Sequence, residues 1–197
     1  MERQRKNEER IQQILLSLSR LDYLSRSQIQ YMHDLKSVRN ANRVLKSMDE
    51  YLNSFRNDIE KVYYLNKKGR EYIGASESKA RAKTQNVGHF LTRNQLYVHL
   101  KQPRTWQNEM KLKVGDFYVM CDAKFEENGM PVFVEVDCQQ HMIINKSKAD
   151  KYRKLKELAG NFKFKLIWVT EIESRREKLR ELSIGLPNEI YTLREIS

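Results

Sequence analysis

Residues 24–48 read LSRSQIQYMHDLKSVRNANRVLKSM, and the fold of the first part of the chain turns on them. Ser25 precedes Ile29, Tyr31 and Met32, where its hydroxyl can accept an orphan backbone N–H, so Leu24-Ser25-Arg26-Ser27-Gln28-Ile29 is expected to open a short helix. His33-Asp34-Leu35 breaks the period. Another helix then starts near Ser37, with Val38, Ala41, Leu45, Met48 and Leu52 on one face and Arg39, Asn40, Arg43 and Lys46 on the other. In a helix-turn-helix the second helix of the pair enters the major groove, N-terminal residues first, so this polar set is expected to meet base edges and phosphates.

Upstream, Ile11, Ile14, Leu15 and Leu18 recur at helical spacing and make one buried stripe over Glu9 to Arg20. Downstream, Ser54 to Leu65 reads as a hairpin: a short strand, the polar turn Arg56-Asn57-Asp58, then Val62-Tyr63-Tyr64-Leu65, rich in β-formers. Asn66 starts a last short helix, Lys67 to Ile73, which Gly74 ends. Helix, helix, helix, hairpin is the order of a winged helix-turn-helix, expected over residues 1–74. Its DNA-binding set is Arg26, Ser37, Arg39, Asn40, Arg43, Lys46, Arg56 and Lys61, with Arg39, Asn40 and Arg43 in direct contact. Three amphipathic helices with a basic face can equally dock a protein. Charge favours double-stranded DNA.

The net charge is +11, an attraction for polyanions before any specific contact forms. It is uneven: residues 1–74 hold 15 Lys/Arg against 10 Asp/Glu, residues 75–105 hold 6 against 1, and the rest 16 against 15. Cys121 and Cys138 lack metal-knuckle spacing and suggest no disulfide framework, which points to the cytoplasm. The charged start MERQRKNEER has no apolar core behind it, and no run approaches the roughly 18 apolar residues of a membrane span, so no membrane partner is expected. Neither GxGxxG nor GxxxxGK[ST] occurs, so no nucleotide is expected either. Winged-helix proteins often pair to read two half-sites, which makes a homodimer an option, although no heptad run declares an interface.

Residues 75–86, ASESKARAKTQN, are small, polar and basic, and are expected to be a linker. Gly88 to Leu100 becomes amphipathic and opens a second domain over residues 87–197. Strands follow at Glu109–Val114, Phe117–Phe125 and Pro131–Asp137, the last two joined by Glu126-Glu127-Asn128-Gly129. Lys146 to Leu158 is a basic helix, Lys163 to Thr170 an apolar strand, Ile172 to Leu182 a helix and Ile190 to Leu193 a closing strand. The fold class is therefore α+β, the second domain a small mixed sheet in the order αβββαβ with a closing αβ.

Asp122 lies near the end of the second strand of that sheet, while Glu135 and Asp137, two apart on the third, project from one face. If the strands are neighbours, the three carboxylates can converge on Mg²⁺ or Mn²⁺, which would ready a water for attack on a phosphodiester. Lys124 would share the face and steady an oxyanion. Acids at strand ends are also ordinary partners for the lysines of Lys146 to Lys156. Cys138 and His141 have ligand-like spacing, but no second pair completes a zinc set. His89 and His99 fall in an amphipathic helix as packing or surface residues.

This arrangement resembles the restriction-endonuclease-like core, in which an acid on the second strand and a Glu-x-Lys on the third hold the metal and orient water. Asp122 matches the first acid and Glu135 the second; Asp137 stands where that core has lysine, so Lys124 or Lys148 would have to substitute. The whole chain resembles the replication-relaxation family of Gram-positive plasmids, phages and integrative elements. The matching segments are Leu24-Ser25-Arg26-Ser27-Gln28-Ile29, Val62-Tyr63-Tyr64-Leu65-Asn66-Lys67-Lys68-Gly69, Cys121-Asp122-Ala123, Val134-Glu135-Val136-Asp137, and Lys148 with Tyr152 four residues on. The resemblance implies a winged helix followed by a nuclease-like domain, working in replication, transfer or control of a mobile element. The function expected is duplex binding that requires no cofactor, with a degenerate nuclease-like domain. The alternative is a Mg²⁺- or Mn²⁺-dependent endonuclease using Asp122, Glu135 and Asp137.

Overall fold

A computed structural model describes residues 1–57, 60–160 and 162–197, Arg3 by its backbone alone. The chain divides into two compact units, Met1–Leu91 and Thr92–Ser197. It is a mixed α+β protein with two sheets.

In the first unit, α1 (Glu2–Leu21) buries Ile14, Leu15 and Leu18, the stripe expected from their spacing. It begins seven residues before the expected Glu9, in a polar turn where Glu2 pairs with Lys6 and Arg5 with Glu9, the four-residue spacing at which opposite charges support a solvated helix. A two-residue strand β1 (Leu24–Ser25) leads into α2 (Arg26–Met32). Ser25 caps α2 by accepting from Gln28 N–H while the Gln28 side chain returns to Ser25 N–H, a reciprocal box that satisfies two orphan donors. After a turn in which Asp34 and Lys36 adopt positive φ, Ser37 caps α3 (Val38–Lys46), whose Ala41, Val44 and Leu45 face the core.

Strands β2 (Leu52–Asn57) and β3 (Glu60–Leu65) are antiparallel, and β1 joins the free edge of β3, giving the order β1-β3-β2. Of the expected turn, Asp58 lies outside the described residues. Asn66 caps α4 (Lys67–Tyr72), and Gly74 follows at φ 64°. Gly69 is required by space, because a Cβ there would lie 2.3 Å from the Tyr51 carbonyl oxygen.

The segment expected to be a linker belongs to the first unit. It holds a 3₁₀ turn at Glu77–Lys79, Arg81 pairs with the buried Asp22 at 2.7 Å, and Tyr23 donates its hydroxyl to the Ala82 carbonyl at 2.7 Å. A polar, basic composition signals exposure, but the partners that hold such a segment down lie some sixty positions away (|i−j| = 59).

Helix α5 (Val87–His99) contains the division between the units. In the second unit β4 (Gln107–Val114), β5 (Phe117–Glu127) and β6 (Met130–Asp137) form an antiparallel meander, β5 and β6 joined through Asn128 and Gly129 at positive φ. α6 (Met142–Leu158) crosses to β7 (Lys165–Thr170), parallel to β6; a 3₁₀ turn and α7 (Arg176–Leu182) then lead to β8 (Asn188–Thr192), parallel to β7. A terminal turn, α8 (Leu193–Ile196), takes the last residue of the expected closing strand. The core of this unit packs Val119, Cys121, Phe133, Tyr152, Phe164 and Trp168 between sheet and helices.

Candidate functional site

The polar face of α3 remains exposed because its opposite face carries Ala41, Val44 and Leu45 into the core. Arg39, Arg43 and Lys46 are exposed on it, and Arg56 and Lys61 face each other across the β2–β3 ladder, also exposed. Among the described residues none of these five cations is in an ion pair. A cleft of about 550 Å³ opens between the helix and the hairpin, lined by Lys46, Arg56, Lys61 and Arg26 together with Asn42, Asp49, Glu60 and Tyr63.

Four members of the expected set, Ser37, Asn40, Arg43 and Arg26, have partners within the protein. Ser37 is the N-cap of α3. Asn40 donates to the Leu35 carbonyl and accepts from Arg43 at 2.8 Å each, steadying the first turn of α3 and aiming the guanidinium. Arg26 lies 3.3 Å from Glu60, which also takes the Ser27 N–H and hydroxyl. Asn42 was not expected on this surface, although its helical spacing from Arg39 and Lys46 would have found it.

The acids of the second unit divide into two groups. Pairing between β5 and β6 extends to Ala123–Val134, and beyond it the Asp122 carboxylate takes the Val136 N–H at 2.7 Å. Lys148, from α6, donates to Glu135 Oε2 and lies 3.4 Å from Asp122 Oδ2. Tyr152, one turn further along α6, donates its hydroxyl to Glu135 Oε1 at 2.6 Å. Glu135 is wholly buried.

Asp137 shares that face of β6 but has other partners. Arg175 grips both its oxygens, Nε to Oδ2 at 2.5 Å and Nη2 to Oδ1 at 2.8 Å, while Asn145 and Thr170 donate to it as well. The same guanidinium reaches the Gln140 carbonyl at 2.6 Å. Asp122 and Glu135 therefore meet on one ammonium, and Asp137 does not join them. Among the described residues no group of three or more carboxylate, histidine or cysteine side chains is placed to hold a metal ion. Lys124 lies opposite Phe133 in the β5–β6 register and is absent from the ion pairs of these acids. Arg175 and Asn145 were missed from the sequence, since nothing local ties either to Asp137.

The electrostatics follow from burial. Desolvation, and then the charge of Asp122, push Glu135 up to about 8, against the lowering effect of Lys148 and Tyr152. Burial pulls Lys148 down, but Glu135 and Asp122 more than offset it, so it holds its proton more tightly than an ordinary lysine. Burial and the neighbouring Glu135 drive the Tyr152 phenol well upward. Cys138 is pushed up to about 12 by burial and by Glu171.

Comparison with known proteins adds four findings. A family model described as replication-relaxation matches residues 15–166. No curated protein matches the chain. Ten chains of known structure match. One is the crystal structure of protein VC1899 from Vibrio cholerae, 13% identical with a TM-score of 0.41, the match covering 95% of this chain and 53% of that one, so the chain spans about half its length. Among the described residues no helix is long and apolar enough to cross a membrane.

Proposed function

The chain belongs to the replication-relaxation family, and on that premise we propose that it is a cytoplasmic double-stranded-DNA-binding protein acting in replication, transfer or transcriptional control of a plasmid, phage or integrative element. The first unit works as a winged helix-turn-helix, with α3 in the major groove and the β2–β3 hairpin as the wing on the flanking backbone. One observation carries this: Arg39, Arg43, Lys46, Arg56 and Lys61 lie exposed and without ion pairs among the described residues, and Lys46, Arg56 and Lys61 line a cleft between helix and hairpin. A surface built for solvation alone more often neutralises its cations with acids at helical spacing, as α1 does here.

Duplex binding requires no cofactor. Arg39→Ala with Arg43→Ala should weaken binding to a labelled duplex by about 1–3 kcal/mol for each lost base contact, and flatten the dependence of log K on log salt by about 0.9 per phosphate contact removed. Fluorescence anisotropy across a salt series measures both. Unchanged affinity and slope would remove α3 from the interface.

A second reading is favoured by the convergence of Asp122 and Glu135 on one cation. Mg²⁺ or Mn²⁺ would be held by those two carboxylates, supplying charge neutralisation and a more acidic water for phosphodiester cleavage, with Lys148 left to orient the scissile phosphate. Asp137, held by Arg175, stays outside that site. Metal-dependent nicking of supercoiled DNA that Asp122→Ala abolishes would establish this activity, and its lack across both metals would leave the second unit a degenerate nuclease-like fold.

A further inference from the structure

The outer face of α6 forms a second basic surface, and it lies within the second unit alone. Ile143, Lys146, Ser147, Asp150, Lys151 and Lys154 fall on one side of the helix and, with Phe117 at the start of β5, enclose a groove of about 350 Å³. Ile143 is 69% exposed in the midst of lysines. Lys154 sits 5.0 Å above the Phe117 ring, and the one acid, Asp150, is taken by Arg153 at 2.6 Å. Among the described residues Lys146, Lys151 and Lys154 have no ion-pair partner.

A solvated helix face keeps its apolar residues inward; this one sets an aromatic ring and an exposed isoleucine among ammonium groups along a shallow groove. That combination matches a phosphate chain whose bases are unstacked and available to an apolar or aromatic surface. A duplex keeps its base faces stacked and offers base edges and phosphates instead. A stable protein partner covers about 800 Å² a side, more than a groove of seven residues provides. We propose that the α6 groove binds single-stranded nucleic acid, with Lys146, Lys151 and Lys154 on phosphates and a base lodged against Phe117 and Ile143.

The test uses the full chain and a fluorescein-labelled oligo(dT) of roughly 20 nucleotides, longer than the ~4–16 that one such site occupies. Lys151→Ala with Lys154→Ala should weaken oligo(dT) binding about tenfold and flatten the salt slope by about 1.4, two phosphates at roughly 0.7 each. Phe117→Leu keeps apolar bulk but removes the ring, and should cost about fivefold with the slope unchanged. Both variants should bind duplex as the parent does, while Arg39→Ala with Arg43→Ala should retain oligo(dT) binding; the two proposals can therefore fail separately. Unchanged oligo(dT) affinity in the lysine variant, or equal losses on duplex and single strand, would overturn the proposal. So would poly-glutamate displacing the probe as well as unlabelled oligo(dT), which would mean the groove answers to charge alone.

Discussion

Replacing Lys148 with Met removes the cation shared by Asp122 and Glu135 while keeping the length of its aliphatic stem. The cost depends on whether Glu135 carries its proton. Its folded value of about 8 lies above the ordinary 4.5, so folding takes up a proton between those limits; the stability contributed is full below about 4.5 and lost as pH rises through about 8. At pH 6 the carboxyl is mostly neutral in the folded state, and Lys148→Met forfeits hydrogen bonds worth roughly 1–2 kcal/mol. Without the ammonium the Glu135 value climbs further, because Lys148 is one of the groups holding it down. Above about pH 8 the variant therefore loses an additional ~1.4 kcal/mol per pH unit relative to the parent, towards the ~3–5 kcal/mol typical of a buried charge stripped of its partner. Both tryptophans, Trp106 and Trp168, belong to the second unit, so urea unfolding followed by tryptophan fluorescence reports on that unit. The difference between parent and variant should widen from pH 6 to pH 9, and adding Glu135→Gln, which leaves Tyr152 an acceptor, should abolish the widening. A constant difference, or one that narrows towards pH 9, would refute this reasoning.

Arg175→Met strands Asp137, whose carboxylate is wholly buried, and should cost the second unit about 3–5 kcal/mol in the same urea assay; a loss under about 1 kcal/mol would mean solvent reaches that carboxylate. Gly69→Ala drives a Cβ against the Tyr51 carbonyl, a clash with backbone that should lower the first unit's stability by about 1–3 kcal/mol or more, readable as a fall in melting temperature by circular dichroism. Ser37→Ala removes the α3 cap and should cost about 1 kcal/mol. Ser37→Asp restores the cap but sets a carboxylate beside the proposed phosphates, so it should melt like the parent and bind duplex more weakly. Parent-like binding would place Ser37 away from the DNA.

The features legible in the sequence were those whose physics is local. Ser25, Ser37 and Asn66 each satisfy an N–H within three positions, and strand alternation together with Asn128-Gly129 marked the meander. Interactions that join distant segments were not legible. The pairing of β1 with β3 spans about forty residues and uses only two positions, Leu24 and Ser25, that local signals assign to a helix start. Glu60 reads as a hairpin acid, but it reaches thirty-three positions back to Ser27. The first turns of α1 lack an apolar stripe and rely on exposed ion pairs, so a hydrophobic period starts the helix too late.

The same distinction separates Glu135 from Asp137. A period of two puts both on one face of β6, as expected, and α6 covers that face with Asn145, Lys148 and Tyr152, which fall on one side of a helix. What the spacing does not specify is the charge each acid meets. Lys148 stands over Glu135 and Asp122, whereas Arg175, from the turn after β7, reaches Asp137 thirty-eight positions away. Three acids then face two cations, and the imbalance is resolved if Glu135, which burial and Asp122 drive upward, keeps a proton. The cluster is thus close to neutral by itself. A divalent ion entering between Asp122 and Glu135 would have to expel Lys148 and take the proton from Glu135, so its binding should strengthen with rising pH and compete directly with the lysine.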